Sequence, residues 1–176
     1  MYAFWRQGYR ATSTRDLSDC TGVGPSSLYN AFGDKRQLYL RALRHYYGTH
    51  TVMQTESLRV PGSARGRIRN LMVHAIDVDL SDDEPAGCFA INALMEMGHS
   101  DSDVNDELSR HFSAVEDALC ETITEGKLSG EMGPGGDARV QARQVLSTYY
   151  GLRVLARIQK DRKALLDVVE SALDAL

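Results

Sequence analysis

Between Ser13 and Phe32 the chain carries a cluster of side chains suited to binding a polyanion. Two runs with helix-start signals flank the break Thr21-Gly22-Val23-Gly24, and the second run presents Ser26, Ser27, Tyr29 and Asn30. Leu28 and Phe32 lie four residues apart on one helical face, so they are expected to pack inward and leave the hydroxyls and the amide outside. Such groups bond phosphate oxygens without discrimination or read base edges in a groove. Two short helices around a glycine-containing turn have the dimensions of a helix-turn-helix. In that motif the first helix crosses the nucleic-acid backbone and the second lies in the major groove.

The net charge of the 176-residue chain, −4, would disfavour such a partner if it were spread evenly. It is not. Residues 1–47 hold seven basic side chains (Arg6, Arg10, Arg15, Lys35, Arg36, Arg41, Arg44) against three acidic ones (Asp16, Asp19, Asp34), a net +4 that leaves −8 for the rest. A sign change of this size points to a basic interaction surface on an acidic body.

Other chemistries find little footing. Cys20, Cys88 and Cys120 are an odd set without CxxC spacing, which argues against a disulfide framework and a structural zinc site. There is no phosphate-cradling glycine loop after a strand, no HExxH and no nucleophile motif, so neither an enzyme nor a bound cofactor is expected. Glu96-x-x-His99 has the spacing of di-iron bundles but lacks the second copy such a site needs. No run approaches the ~18 apolar residues of a membrane span. The start, Met-Tyr-Ala-Phe-Trp-Arg, shows no export signal. The expectation is a cytoplasmic protein.

The elements that must hold this cluster read as helices throughout. A short first segment stops at Gly8. Ser13 is an N-cap with Asp16 three residues on as an approximate capping box. Pro25 suits the first turn of the next helix, which ends at Gly33. Asp34 caps a fourth helix with the apolar stripe Leu38, Ala42, Leu43 and Tyr46. Beyond Pro61-Gly62 a fifth helix spans roughly Ser63 to Asp79 with Ile68, Leu71, Met72, Ala75 and Ile76 on one face. A loop is expected over Ser81–Pro85, then a short apolar helix from Gly87 to about Met97. A long helix follows from Ser102 to Thr124, carrying Leu108, Phe112, Val115, Leu119 and Ile123. After the glycine-rich stretch around Pro134, two helices, about Asp137–Gln159 and Arg162–Leu176, complete an all-α chain of about nine helices.

Three runs make the first quarter specific: Phe4 to Ser18, Thr21-Gly-Val-Gly, and Ser27-Leu-Tyr-Asn-Ala-Phe-Gly-Asp-Lys35. They resemble the DNA-binding domain of the TetR/AcrR family of transcriptional regulators. They match its G-Y-x-x-T-S/T pattern, its G-V turn, its S/T-L-Y-x-x-F recognition helix and the lysine that opens its fourth helix. The resemblance implies an N-terminal helix-turn-helix domain over residues 1–47 and a ligand-sensing and dimerisation domain over 48–176. It also implies that Thr14 and Arg15 meet phosphates at a helix start, that Tyr29 reaches a phosphate, and that Lys35 clamps the backbone. Ser26, Ser27 and Asn30 then lie nearest the bases. Family members commonly have a longer first helix behind a basic arm, so the first helix is expected to be clipped. Gly24-Pro25-Ser26 replaces a common Ser-Lys-Gly, which removes one phosphate-attracting lysine and leaves the operator sequence open.

For the acidic body, the resemblance implies a ligand cavity and a four-helix homodimer interface made by the last two helices. Those helices carry Val145, Leu146, Tyr149, Tyr150, Leu152 and Leu155, then Leu165, Leu166, Val168, Val169, Leu173 and Leu176, more apolar width than one core stripe needs. Asn92, Glu96 and His99 are expected as polar pocket residues, with Met95, Phe112, Tyr149 and Tyr150 as walls. The segment Ala86-Gly87-Cys88-Phe89 resembles a branch of the family with a Gly-Cys sixth helix, some members of which sense electrophiles. Cys88 at a helix N-terminus would favour its thiolate, or would fill the core as a small apolar residue. The expected function is a repressor that binds palindromic operator DNA as a homodimer and is released by a small-molecule inducer, the alternative being a thiol sensor acting through Cys88.

Overall fold

Local capping chemistry sets where the helices begin and end. The computed structural model describes residues 1–81 and 87–176. Its helices are α1 (Tyr2–Ala11), α2 (Thr14–Thr21), α3 (Pro25–Phe32), α4 (Lys35–Tyr46), α5 (Val52–Ser57), α6 (Ala64–Leu80), α7 (Phe89–Met97), α8 (Ser102–Leu128), α9 (Ala138–Leu155) and α10 (Arg162–Asp174). No strand occurs among the described residues. Between α4 and α5 the backbone winds as a wider π turn over Tyr47–Thr51. Counting α4, this turn and α5 as the one helix expected there gives nine. The π turn leaves no periodic signature over so few residues, which is why the sequence pattern passed over it. Of the loop expected over Ser81–Pro85, all but Ser81 lies outside the described residues, as does Ala86.

Side chains cap the starts of these helices as their types suggest. Asp34, Ser63, Asp137 and Asp161 each accept a backbone N–H from the first turn that follows. Each such cap contributes about 1 kcal/mol by satisfying an amide with no intrahelical partner. Four boundaries differ from those expected: α7 begins at Phe89 rather than Gly87, α8 continues to Leu128, α9 stops at Leu155 and α10 stops at Asp174.

Packing divides the chain into two compact units that interleave in sequence. One comprises Met1–Thr49 with Phe89–His111, the other His50–Cys88 with Phe112–Leu176. In the first, α7 and the opening turns of α8 pack with the N-terminal helices through aromatic rings. Phe89 meets Tyr39 and Tyr46 edge-on at centroid separations of 5.8 and 5.6 Å, and Trp5 meets Tyr46 edge-on at 5.3 Å. Edge-to-face pairs of this kind each add about 0.5–1.5 kcal/mol beyond the area they bury. On α4, Tyr39 and Leu40 are buried in addition to the expected Ala42, Leu43 and Tyr46, whereas the expected Leu38 is only half-buried.

The second unit is a larger apolar core. Ile68, Leu71, Met72, Ala75 and Ile76 of α6 are all buried, together with Val115, Leu119 and Ile123 of α8. They pack with Val145, Tyr149 and Leu152 of α9 and Leu165, Val169 and Leu173 of α10. At roughly 1.5–3 kcal/mol per fully buried aliphatic side chain, this burial dominates the unit's stability. One ion pair lies inside it. Arg153 donates twice to the Asp79 carboxylate, at 2.8 Å each, and once to the Gly87 carbonyl, while the Gly87 N–H donates back to Asp79. Both side chains are nearly inaccessible, at 7% and 0% exposed.

Candidate nucleic-acid interface

The site begins with two reciprocal hydrogen bonds. Ser13 Oγ accepts the Asp16 N–H at 3.1 Å, and the Asp16 carboxylate accepts the Ser13 N–H at 2.7 Å, a complete capping box that starts α2. The Ser13 bonds hold the Asp16 carboxyl below its ordinary range. Thr14 and Arg15 occupy the first positions of α2, where backbone amides lack intrahelical acceptors and the helix dipole favours an anion. Leu17 is the single buried residue of this helix. Gly22 ends it in the left-handed region, at φ 68°, with its N–H on the Ser18 carbonyl. That conformation costs a residue with a Cβ roughly 1 kcal/mol or more, so glycine is the local requirement for the tight turn.

Pro25 then opens α3, whose only buried side chain is Leu28. Ser26, Ser27 and Asn30 are exposed and Tyr29 is half-buried. Phe32 is half-buried, with the Arg41 guanidinium over its ring at 5.5 Å. The Thr14 and Tyr29 hydroxyls meet at 2.8 Å, so the start of α2 and the middle of α3 present one joined polar edge. Arg15 is exposed and only loosely paired with Asp19, at 3.9 Å. Lys35, at the start of α4, lies over the Tyr9 ring, 4.6 Å from its centroid, with its ammonium 3.5 Å from the Arg10 carbonyl. Thr14, Tyr29 and the exposed residues of α3 thus come together, and Lys35 is held beside α1.

The charge balance is tighter than chain order suggests. Arg36 donates to Asp101 at 2.6 and 2.8 Å and to Asp103 at 2.7 Å, and Arg44 donates to Glu107 at 2.5 Å. Residues 89–111 add five carboxylates (Glu96, Asp101, Asp103, Asp106, Glu107) and one base, Arg110, to the net +4 of residues 1–49. The unit containing α2 and α3 is therefore formally neutral. Arg36 and Arg44 are turned to partners within the unit, so less of the +4 of its N-terminal residues is left to meet a polyanion. Hydrogen bonding to Arg36 holds the Asp101 carboxyl below its usual range.

The eight residues expected to line a ligand site divide between the units. Asn92, Met95, Glu96 and His99 belong to the first, where Met95 is 79% exposed and His99 is also exposed. Cys88, Phe112, Tyr149 and Tyr150 belong to the second. There Tyr150 meets both Phe112 and Tyr149 at ring separations of 5.0 Å. The Tyr149 hydroxyl accepts from Gln54 Nε2 at 2.9 Å, and burial pushes its pKa up to about 12. Cys88 directly precedes α7 and is buried. Glu96 accepts the backbone N–H groups of Tyr9 and Arg10, each at 2.6 Å. Sequence reasoning passed over that role because the partners lie 86 and 87 positions away. The one hint was a lone carboxylate in an otherwise apolar helix. Among the described residues no cluster of histidine, cysteine and carboxylates could hold a metal ion, and no helix is long and apolar enough to cross a membrane.

Fold and site together define an all-helical protein with a helix-turn-helix near its N-terminus. A family model described as bacterial regulatory proteins, tetR family, matches residues 2–42, and one described as Tetracyclin repressor-like, C-terminal domain, matches residues 64–172. The chain belongs to the TetR family of transcriptional regulators. It is 28% identical over 174 residues to YezE of Bacillus subtilis (strain 168), an uncharacterized HTH-type transcriptional regulator, covering 98% of this chain and 90% of the relative. It is 25% identical to the HTH-type transcriptional repressor ComR of Escherichia coli (strain K12), covering 98% and 83%. Among solved structures it is similar to a cysteine mutant of the TetR family transcriptional regulator CifR complexed with 26bp double-strand operator DNA. That match has a TM-score of 0.85 and 32% identity, over 99% of this chain and 91% of the other.

Proposed function

We propose that this protein is a ligand-responsive transcriptional repressor that binds palindromic operator DNA as a homodimer and is released by a small-molecule inducer. The observation that carries the reading is the joined polar edge of α2 and α3, Thr14 to Tyr29, with Ser26, Ser27 and Asn30 exposed beside it. CifR, 32% identical over nearly the whole chain, is seen with operator DNA. Thr14, Arg15, Tyr29 and Lys35 contact phosphates, and Ser26, Ser27 and Asn30 contact bases. The protein works in the cytoplasm by binding rather than by catalysis.

The homodimer reading is supported by apolar residues left outward on the last two helices. Val154 and Leu155 at the end of α9, Ile158 just beyond it, and Val168 on α10 are exposed, and a Cβ built at Gly151 would meet nothing within 4 Å. Two copies also supply the two recognition helices that a palindrome with half-sites about 34–36 Å apart requires. Residues 1–47 serve DNA binding and 48–176 serve sensing and dimerisation. In the sensing half, burial of Cys88 favours reversible ligand capture over thiol chemistry, because a reactive thiol needs access. Within the larger unit, Phe112, Tyr149 and Tyr150 are the residues proposed for ligand contact, whereas the Glu96 carboxylate is already engaged by the Tyr9 and Arg10 amides and Met95 is exposed. A gel shift with the region upstream of the protein's own gene tests the central reading: binding that weakens steeply with salt supports it, and absent or salt-insensitive binding refutes it.

A further inference from the structure

Glu96 lies on α7, yet its carboxylate is spent on α1. Gly8 breaks that helix with φ 82° and ψ 170°, which frees the amides of Tyr9 and Arg10 from intrahelical acceptors. The two Glu96 oxygens take one amide each, at 2.6 Å. A Cβ on residue 8 would stand 2.7 Å from Glu96 Oε2, so the missing side chain is what lets the carboxylate reach the backbone. The two residues capped in this way are the ones that hold Lys35: the Tyr9 ring lies under its ammonium and the Arg10 carbonyl lies 3.5 Å from it. Thr12 secures the kink from the other side by donating to the Gly8 carbonyl at 2.5 Å. The Glu96 charge is also felt in the aromatic cluster, where burial, Glu96 and Tyr9 together push the Tyr39 hydroxyl well above its ordinary range.

We infer that Glu96 is a positioning residue for DNA binding: by capping the broken second turn of α1 it sets Tyr9 and Arg10, and through them the ammonium of Lys35, for a phosphate contact. The inference rests on the proposed DNA-binding reading. It assigns to α7 a direct part in operator affinity. Any rearrangement that draws Glu96 away from the two amides by an ångström or so breaks short charge-assisted hydrogen bonds and lets the Lys35 cradle relax.

The test uses full-length protein, a duplex cut from the region upstream of its own gene, and a random-sequence duplex of equal length. In Glu96→Gln the fold is retained, the charge is lost and only one carbonyl oxygen remains as acceptor. Hydrogen exchange of the peptide spanning residues 5–14 is expected to speed up severalfold. The slope of log K against log salt is expected to fall by about 0.9, the value of one phosphate contact. Lys35→Ala is expected to show the same loss of slope with slow exchange retained, and the double variant is expected to bind no more weakly than Lys35→Ala alone. Wild-type salt slope in Glu96→Gln, unchanged exchange at residues 5–14, or strict additivity with Lys35→Ala each overturns the inference. Absence of salt-dependent binding by the wild type to either duplex overturns the regulator reading instead, and the inference with it.

Discussion

In the unit that carries α2 and α3, a buried aromatic cluster of Trp5, Tyr39, Tyr46 and Phe89 is flanked by charge contacts: Glu96 reaches the α1 amides, and Asp101, Asp103 and Glu107 hold Arg36 and Arg44. In the other unit, long helices bury a continuous aliphatic core, and one charge pair, Asp79 with Arg153, is sealed inside it. Exposed or half-exposed ion pairs contribute little each, about 0–1 kcal/mol, whereas buried aliphatic side chains contribute several times more. The smaller unit is thus held by its aromatic cluster, while α2 and α3 bury one side chain each and depend on local caps. The larger unit is built around one continuous close-packed core, in which small changes of volume are costly. The helix-turn-helix, with one buried side chain in each of its two helices, is the part expected to open locally most easily.

The comparison is broken most forcefully inside the larger unit. Asp79→Ala leaves the Arg153 guanidinium buried without its carboxylate and is expected to cost about 3–5 kcal/mol in urea unfolding. Ile68→Ala, at a fully buried site in the same core, is expected to cost about 2–5 kcal/mol. A loss under 1 kcal/mol in both would show that this core does not carry the stability assigned to it. In the smaller unit Leu28→Ala is expected near the low end of the same range, about 2 kcal/mol, since α3 buries nothing else. Ser13→Ala removes one half of the capping box and is expected to cost about 1 kcal/mol, read as faster hydrogen exchange confined to α2.

The smallest effect concerns pH and is expected within each unit separately. Asp101 beside Arg36 and Asp77 beside Arg162 are both held below the ordinary carboxylate range. A depressed carboxyl binds fewer protons folded than unfolded. Its stabilisation is therefore complete above the unfolded value of about 3.9 and is lost as pH falls through the folded one. Thermal unfolding is expected to be flat with respect to these groups from pH 7 to about 5 and to drop below about 4. A drop between pH 7 and 5 would assign the dependence to other groups.

Legibility in the sequence followed the range of the interactions. Ser13 with Asp16, Gly22, Pro25, Gly33 and Asp34 act on neighbours within four residues, so the helix-turn-helix and its boundaries could be read directly. The aliphatic face of α6 was equally plain, because burial imposes the helical period on the sequence. What stayed hidden depended on chain segments distant in sequence. Phe89 joins the aromatic cluster of α1 and α4, Glu96 serves Tyr9 and Arg10, and Asp101 and Glu107 neutralise Arg36 and Arg44. Chain order placed all of these in the acidic body, and the +4 read from residues 1–47 therefore overstated the charge free to meet DNA. Met95 shows the opposite limit: an apolar residue in an apolar run is exposed, because α7 turns only one side to its neighbours.

The most direct measurement is a salt titration of binding to the upstream duplex and to a random duplex, comparing the wild type with Lys35→Ala and Asn30→Ala. The account predicts steep salt dependence for the wild type, a slope lower by about 0.9 on both duplexes for Lys35→Ala, and for Asn30→Ala an unchanged slope with a weaker preference for the upstream duplex. A wild-type slope in Lys35→Ala together with an undiminished preference in Asn30→Ala would contradict it, because neither Lys35 nor the exposed face of α3 would then meet the DNA.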